Sequence, residues 1–461
     1  MYQPETVQIV ESINELDALL SYIICDKMVV HPICVDADKH VCNNSISLIL
    51  FHFCTSNTTW CVPIDHNEAI CMPDALPKIK DALKMSISTK LVIDKKNTVQ
   101  LFGEDYDFID MGLVKYLTDG ITDHFDSETN AHQFVRTNFR NIPNINMCTP
   151  IYKHARAFLD HIEGANRIDL GILNDEGFKF VNNTITNRFA KLEEIGLCVT
   201  EDFTDEFGNE QTKHIKNSLV YTQYNLLTST GRPSNRFAGV NYAALNKNDD
   251  SRKCFVSRYG NDGMLVMMDY NAFHPRLIAH LVNFQMGADE NPYAYLAKYF
   301  FNKTEANEED IAVAKGFTFT QIYGGFDSRW LHIPYFSKIQ EYIDHRWKFF
   351  SENGYIETPK YKRKIKACHI PDANPSKLFN YILQAFETEM AVDVLGDLLG
   401  DLKGKKTQPI LYTYDSILFD VHKDDKMDTI KRIKYVMERD KFPVKVYVGK
   451  NYKEMNHINL S

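Results

Sequence analysis

Nowhere in this 461-residue chain does an apolar run reach the roughly eighteen residues needed to cross a bilayer. The opening Met1-Tyr2-Gln3-Pro4-Glu5-Thr6 lacks the basic and apolar regions of a secretory leader, so a cytoplasmic address is expected. The ten cysteines are scattered singly without any C-x-x-C, which fits neither a disulfide framework nor a zinc site and leaves buried reduced thiols. A basic surplus is missing too. With 52 Lys and Arg against 61 Asp and Glu, the net charge is −9, so bulk charge will not drive nucleic-acid binding. Local clusters can still do so, and two stand out at Lys360–Lys366 and Lys403–Lys406, though such a cluster alone is more often a solvated charged turn. Low-complexity tracts are absent, and 44% hydrophobic with 25% charged residues is a globular composition with room for two or three domains.

What is present begins as alternating strand and helix. Helical spacing runs from Glu11 to Ile24, and an apolar strand from Val29 to Val35 leads into Asp36-Ala37-Asp38. Ile46–Phe53, Trp60–Ile64 and Lys90–Ile93 read as further strands, with a helix near Asp110–Leu117. Residues 120–150 are polar and carry Pro143 and Pro150, which predicts a boundary there. Beyond it, Asn174–Ile195 reads as one long helix and Met264–Met268 as a strand, with Pro275 suited to the first turn of the helix that follows. Helices are predicted at 306–323, opened by acidic residues and stopped by Gly324-Gly325, and at Gln384–Leu399. The end reads as a hairpin, Ile410–Tyr414 and Ile417–Val421 around Asp415, with a last strand at Val444–Val448.

Two aspartates, Asp269 and Asp415, each lie at the end of an apolar run. One acid there is ordinarily a cap or turn residue, because burying it is costly without a cation or donors. Two on neighbouring strands favour a metal pair, Mg²⁺ with Mn²⁺ able to substitute, the chemistry of phosphoryl and nucleotidyl transfer. Between them, Lys315, Phe319 and Tyr323 recur every fourth residue and form one helical stripe. Such a stripe is often plain packing with a snorkelling lysine. Here it also offers a cation for phosphate oxygens and rings for a base or sugar.

In order along the chain, Thr228-Ser229-Thr230-Gly231-Arg232-Pro233-Ser234, the Asp269–Leu281 segment, Lys315–Gly324 and Tyr414-Asp415-Ser416 resemble the ordered motifs of family A DNA polymerases, the bacterial polymerase I and phage replicase group. Gly354–Thr358 with its following basic run, and Asn380-x3-Gln384, are similar to two more family stretches. The resemblance implies an α+β right hand of palm, fingers and thumb, preceded by an α/β RNase H-like 3′→5′ exonuclease-type domain. The expected limits are 1–140 for the latter and 141–461 for the polymerase domain, with thumb about 150–200, palm about 201–285 and 370–461, and fingers about 286–369.

That resemblance also implies roles. Asp269 and Asp415 hold two Mg²⁺ ions with the Tyr270 carbonyl, and Lys315 contacts the triphosphate as a general acid candidate. Phe319 lies against the sugar, Tyr323 near the nascent pair, and Arg232, Asn380, Gln384, Lys362 and Arg363 against primer-template DNA. Phe at position 319 implies discrimination against dideoxynucleotides. Departures are as telling. His274 stands where a gating Glu is usual, Ile311 replaces a phosphate-contacting Arg, and Ser416 follows the third-motif Asp in place of Glu. Asp36 and Asp38 resemble the start of the exonuclease site, yet Lys95–Gln100 holds no acid where one is expected, so a vestigial domain is the favoured reading. The function expected is template-directed addition of dNTPs to a primer in phage replication, with a processivity factor or helicase–primase as partner. A single-subunit phage-type RNA polymerase and an inactive DNA-binding accessory protein are the alternatives.

Overall fold

The computed structural model describes residues 7–34, 41, 45–66, 70–72, 74–120, 170–208, 215–235, 240–246, 249–287, 290–325 and 327–460. The chain divides into two compact units, Met1–Glu194 and Ile195–Ser461. The predicted boundary at 140/141 lies outside the described residues, as do Asp36 and Asp38. Among the described residues no helix is long and apolar enough to cross a membrane.

The first unit is built on six strands, β1 (Val7–Ile9), β2 (Met28–Cys34), β3 (Ile46–Phe53), β4 (Thr58–Pro63), β5 (Lys90–Val92) and β6 (Phe108–Asp110), in the order β1-β4-β3-β2-β5-β6. Strands β2, β3 and β4 pair antiparallel, whereas β5 and β6 run parallel to β2. Every residue of β2 and β3 is buried, which explains their mostly apolar sequence, broken only by His31, Ser47 and His52. Helices α1 (Ile13–Cys25), α2 (Ala75–Met85), α3 (Lys95–Phe102) and α4 (Met111–Asp119) belong to the same unit. Ser12 caps α1, Asp94 caps α3 and Asp110 caps α4, each accepting from a backbone N–H in the first turn. Leu16, Leu19 and Ile23 of α1 are wholly buried in one core with Phe51, Phe53 and Trp60.

The long helix predicted at 174–195 is interrupted. Glu176–Lys179 is α-helical, Phe180–Ile185 opens into π turns, and Thr186–Ile195 resumes the α form. At the wide turn Asn182 donates to the Phe108 carbonyl at 2.9 Å and accepts from Asp110 N at 3.0 Å, acting as a short strand beside β6. Polar residues of α3 meet the same run. Lys96 pairs with Glu193 at 2.6 Å, Gln100 donates to Glu193 at 2.8 Å, and Lys95 reaches Asp105 at 2.7 Å and Asn183 at 3.1 Å. All three α3 side chains are buried, so the described part of the segment expected as thumb, residues 170–194, packs as part of the first unit.

The second unit centres on an antiparallel sheet of β7 (Gly263–Tyr270), β8 (Gln408–Tyr412), β9 (Ser416–His422), β10 (Val444–Gly449) and β11 (Met455–Ile458), ordered β8-β9-β7-β10-β11. Its helices are α5 (Phe273–Leu281), α6 (Pro292–Phe301), α7 (Glu308–Gly324), α8 (Pro334–Asn353), α9 (Pro375–Asp401) and α10 (Lys426–Met437). A capping box of Asn307 and Asp310 starts α7, and Gly325, at φ +99°, ends it. Helix α9 begins nine residues before the predicted Gln384, at Pro375 with Asn374 as its cap. One face of the sheet, with Leu265, Met267 and Leu418, packs over Leu197, Val199, Val220 and Phe255 of a small four-stranded sheet.

Candidate active site

Burying the β7–β9 ladder on both faces fixes its register, and the register places the acids. Asp269, next to last in β7, lies opposite Ser416 of β9 on one side and Lys445 of β10 on the other. Tyr270 N donates to the Asp415 carbonyl at 3.0 Å, so the two aspartates are neighbours at the same end of adjacent central strands. Asp415 sits in a tight turn closed by Thr413 N donating to Ser416 O at 2.9 Å, with Tyr414 at φ +67°. A non-glycine residue there costs about 1–3 kcal/mol, strain of the kind that accumulates where a side chain must be aimed. Burial pushes the Asp415 carboxyl up to about 6, with the charges of Asp269 and Glu387 adding to the rise and His274 opposing it. Two half-buried carboxylates that resist joint ionisation are a donor set suited to a hard divalent cation, which would relieve the repulsion. Among the described residues no group of three or more His, Cys, Asp or Glu gathers into a metal-holding cluster.

The helical stripe on α7 points to the same place. Phe319 and Tyr323 stack with ring centres 5.7 Å apart and planes 8° from parallel. Lys315, exposed, holds Nζ 6.0 Å from the Phe319 ring and 5.9 Å from that of Tyr293 on α6. Burial and the charge of Asp415 push the Tyr293 phenol up to about 12, and its ring centre lies 6.2 Å from that of Phe319. Ile311, one turn before Lys315, is half-buried in the first turn of α7.

A polar chain joins stripe to sheet. His274, in the first turn of α5, contacts the Tyr323 hydroxyl through Nδ1, while its Nε2 lies 3.0 Å from Glu387 Oε1. Glu387 is 1% exposed and also faces Arg232. Nη2 of Arg232 donates to Oε1 at 3.2 Å, and Nε approaches Oε2 to 2.8 Å as a charge contact off the N–H line. The Arg232 guanidinium in turn covers the Tyr414 ring at 3.6 Å. Asn380 Nδ2 donates to the Tyr323 carbonyl at 3.4 Å, and half-buried Gln384 lies one turn further along the same face of α9.

Of the predicted site residues, Asp269, Tyr270, His274, Lys315, Phe319, Tyr323, Asn380, Arg232 and Asp415 thus come together. The basic run does not behave as a free DNA-facing cluster. Arg363 is buried and donates to the Thr230 carbonyl at 2.7 Å, so it braces the turn before Arg232. Lys362 is exposed, but its Nζ donates to the Pro359 carbonyl of its own loop at 2.9 Å. That loop is pinned by Glu389, which accepts from Lys360 N at 2.9 Å and Tyr361 N at 3.2 Å. Three site residues escaped the sequence reading. Glu387 could have been found, since Asn380, Gln384 and Glu387 fall at i, i+4 and i+7 of one helix face. Tyr293 and Lys445 carry no such signal, because only folding brings their elements beside Asp415 and Asp269.

No family model matches the chain. In sequence it is similar to DNA polymerase I of two Streptococcus pneumoniae strains, 25% identical over a 290-residue alignment, with 54% of this chain and 31% of those proteins covered. The chain thus spans about a third of the length of the curated relatives it matches. In structure it is similar to the POL domain of Pol1 from M. smegmatis, solved in complex with DNA primer-template and dNTP. The TM-score is 0.74 at 14% identity, covering 97% of this chain and 99% of that one, and the likeness shows a right-hand polymerase fold.

Proposed function

For a chain that belongs with the family A DNA polymerases, we propose template-directed DNA synthesis, adding deoxynucleotides to a primer 3′ end. The observation that carries this reading is the neighbouring pair Asp269 and Asp415 facing a lysine–aromatic stripe on another helix. In this reading β7–β11 are the palm and α6–α8 the fingers. Asp269, Asp415 and the Tyr270 carbonyl would hold divalent cations. Such ions, when bound, supply Lewis-acid stabilisation of the attacking and leaving oxygens. Lys315 offers its ammonium to the triphosphate, and Phe319 with Tyr323 forms the stacked surface for sugar and base. His274, fixed between Tyr323 and Glu387, crowds the sugar and favours deoxy substrates. Arg232, Asn380 and Gln384 contact primer-template DNA, and Lys362 has the exposure to do so. Affinity for DNA then falls steeply with salt.

The first unit is proposed as an exonuclease-like domain retained for structure. Its antiparallel β4-β3-β2 and parallel β2-β5-β6 pairing supports the fold assignment. Lys96 and Gln100, on the segment where the resemblance implies a metal-binding acid, are committed to Glu193 instead, and Lys95 is shared between Asp105 and Asn183. A phage replicase aided by a processivity factor or helicase–primase is the setting we favour. Extension of a labelled primer-template with Mg²⁺, comparing deoxy- with ribonucleotides and adding Asp415→Ala, tests the proposal. Deoxy-selective extension lost in the variant supports it. Ribonucleotide extension turns the reading to an RNA polymerase, and tight DNA binding without extension to an accessory protein.

A further inference from the structure

A carboxylate buried as deeply as Glu387 is poorly explained by stability. An apolar residue of similar size on α9 would avoid the cost of desolvating the charge, and such replacements are often neutral or stabilising. Yet Glu387 accepts two cationic or polar partners from separate parts of the chain, Arg232 of the 228–234 turn and His274 of α5. Each partner carries one more contact outward: Arg232 onto the Tyr414 ring beside Asp415, His274 onto the Tyr323 hydroxyl. Helix α9 therefore meets the last turn of α7 twice, through Asn380 at the Tyr323 carbonyl and through Glu387 and His274 at its hydroxyl.

The hydrogen-bond logic is directional. An ionised carboxylate only accepts, so the His274 Nε2 facing Glu387 must carry hydrogen. In a neutral ring that leaves Nδ1 as an acceptor, turned to the Tyr323 O–H. A glutamine of the same shape cannot reproduce this. Its carbonyl oxygen, in the place of Oε1, can accept from both Arg232 Nη2 and His274 Nε2, but its amide N–H₂, in the place of Oε2, meets Arg232 Nε as donor against donor, and no negative charge remains for the guanidinium. We infer that Glu387 is a positioning residue which, by holding Arg232 and His274 together, sets how the α7 aromatic stripe is presented to the Asp269–Asp415 pair. This rests on the polymerase reading and adds to it a link between primer-end contact and nucleotide selection.

The test is steady-state single-nucleotide extension by the full chain, with dNTP and rNTP, for wild type, Glu387→Gln and Tyr323→Phe. Glu387→Gln should raise KM for dNTP about ten- to a hundredfold and narrow the deoxy-over-ribo preference by a similar factor, the range in which misplacing a positioned group acts. A residue serving only to stabilise the helix would lower the melting temperature and leave both KM and preference in place. Should Glu387→Gln fail to fold, Tyr323→Phe decides, because that hydroxyl is the outer end of the same chain on an exposed residue. Narrowed preference in Tyr323→Phe supports the inference, and unchanged preference overturns it. If wild type extends normally and folded Glu387→Gln keeps its KM and preference, the positioning role is wrong while the polymerase reading stands. If wild type extends nothing, the polymerase reading itself fails and the inference with it.

Discussion

Replacing Gly231 with alanine should cost far more than the loss of a flexible turn residue, because two separate demands meet there. The backbone at Gly231 has φ +74°, a region that costs an L-residue about 1–2 kcal/mol. A Cβ built on it would stand 2.1 Å from Nη1 and 2.3 Å from Cζ of Arg363. That guanidinium has little room to retreat, being buried and donating through Nη2 to the Thr230 carbonyl at 2.7 Å. Losing a hydrogen bond to a charged group adds about 1.5–3 kcal/mol, so Gly231→Ala should destabilise the second unit by about 3–5 kcal/mol. Cutting Arg363 back to alanine removes the collision but not the dihedral penalty. In an Arg363→Ala background, Gly231→Ala should therefore cost only about 1–2 kcal/mol. The cycle is measured by urea denaturation with Trp60→Phe throughout, so that Trp330 and Trp347 of the second unit report the transition. Equal cost of Gly231→Ala in both backgrounds would refute the steric argument. Because Arg232 is the next residue, the single variant should also extend primers poorly even where it remains folded.

Other outcomes follow from the same geometry. Phe319→Tyr, which keeps the stack on Tyr323, should admit dideoxynucleotides more readily, and unchanged terminator sensitivity in extension ladders would argue against the proposed seat of the sugar on α7. Lys96→Ala removes the ammonium that lies 2.6 Å from Glu193, a carboxylate only 1% exposed. It should lower the stability of the first unit by about 3–5 kcal/mol, read by hydrogen exchange, and a digestion assay on single strands with Mg²⁺ should find no 3′→5′ activity in the wild type. His52, wholly buried against Thr59, has its imidazole pushed down to about 4 by burial. Since the folded value lies below the ordinary 6.5, the stability it contributes is complete above 6.5 and is lost as pH falls towards 4. The loss is about 3 kcal/mol, and His52→Gln should flatten that limb of a melting-against-pH curve.

Legibility in the sequence tracked how local each determinant is. The β7 strand, the hairpin around Asp415 and the α7 stripe follow from apolar periodicity and short-range caps, and they emerged with small shifts in their ends. Strand β11 went unread because Met455-Asn456-His457-Ile458 is half polar and is defined by its partner β10, not by its own pattern. The π turns at Phe180–Ile185 are likewise set from outside, by Asn182 serving the edge of β6. The surroundings of a residue in a charge run are set by the fold in the same way. Arg363 reads in sequence like its exposed neighbour Lys362, and only the fold shows it turned inward to Thr230. Asp269 and Asp415 were visible as acids ending apolar runs, whereas the coupling of their surroundings through Glu387 required helix α9 to be in place.

The most direct test of the central claim offers each dNTP singly to wild type on primer-templates that differ only in the templating base, beside Asp269→Asn and Asp415→Asn. The account predicts that wild type adds only the complementary nucleotide, with Mg²⁺ present, and that both variants, though folded and able to bind the DNA, add none. Addition that ignores the templating base, or that survives loss of either aspartate, would contradict it.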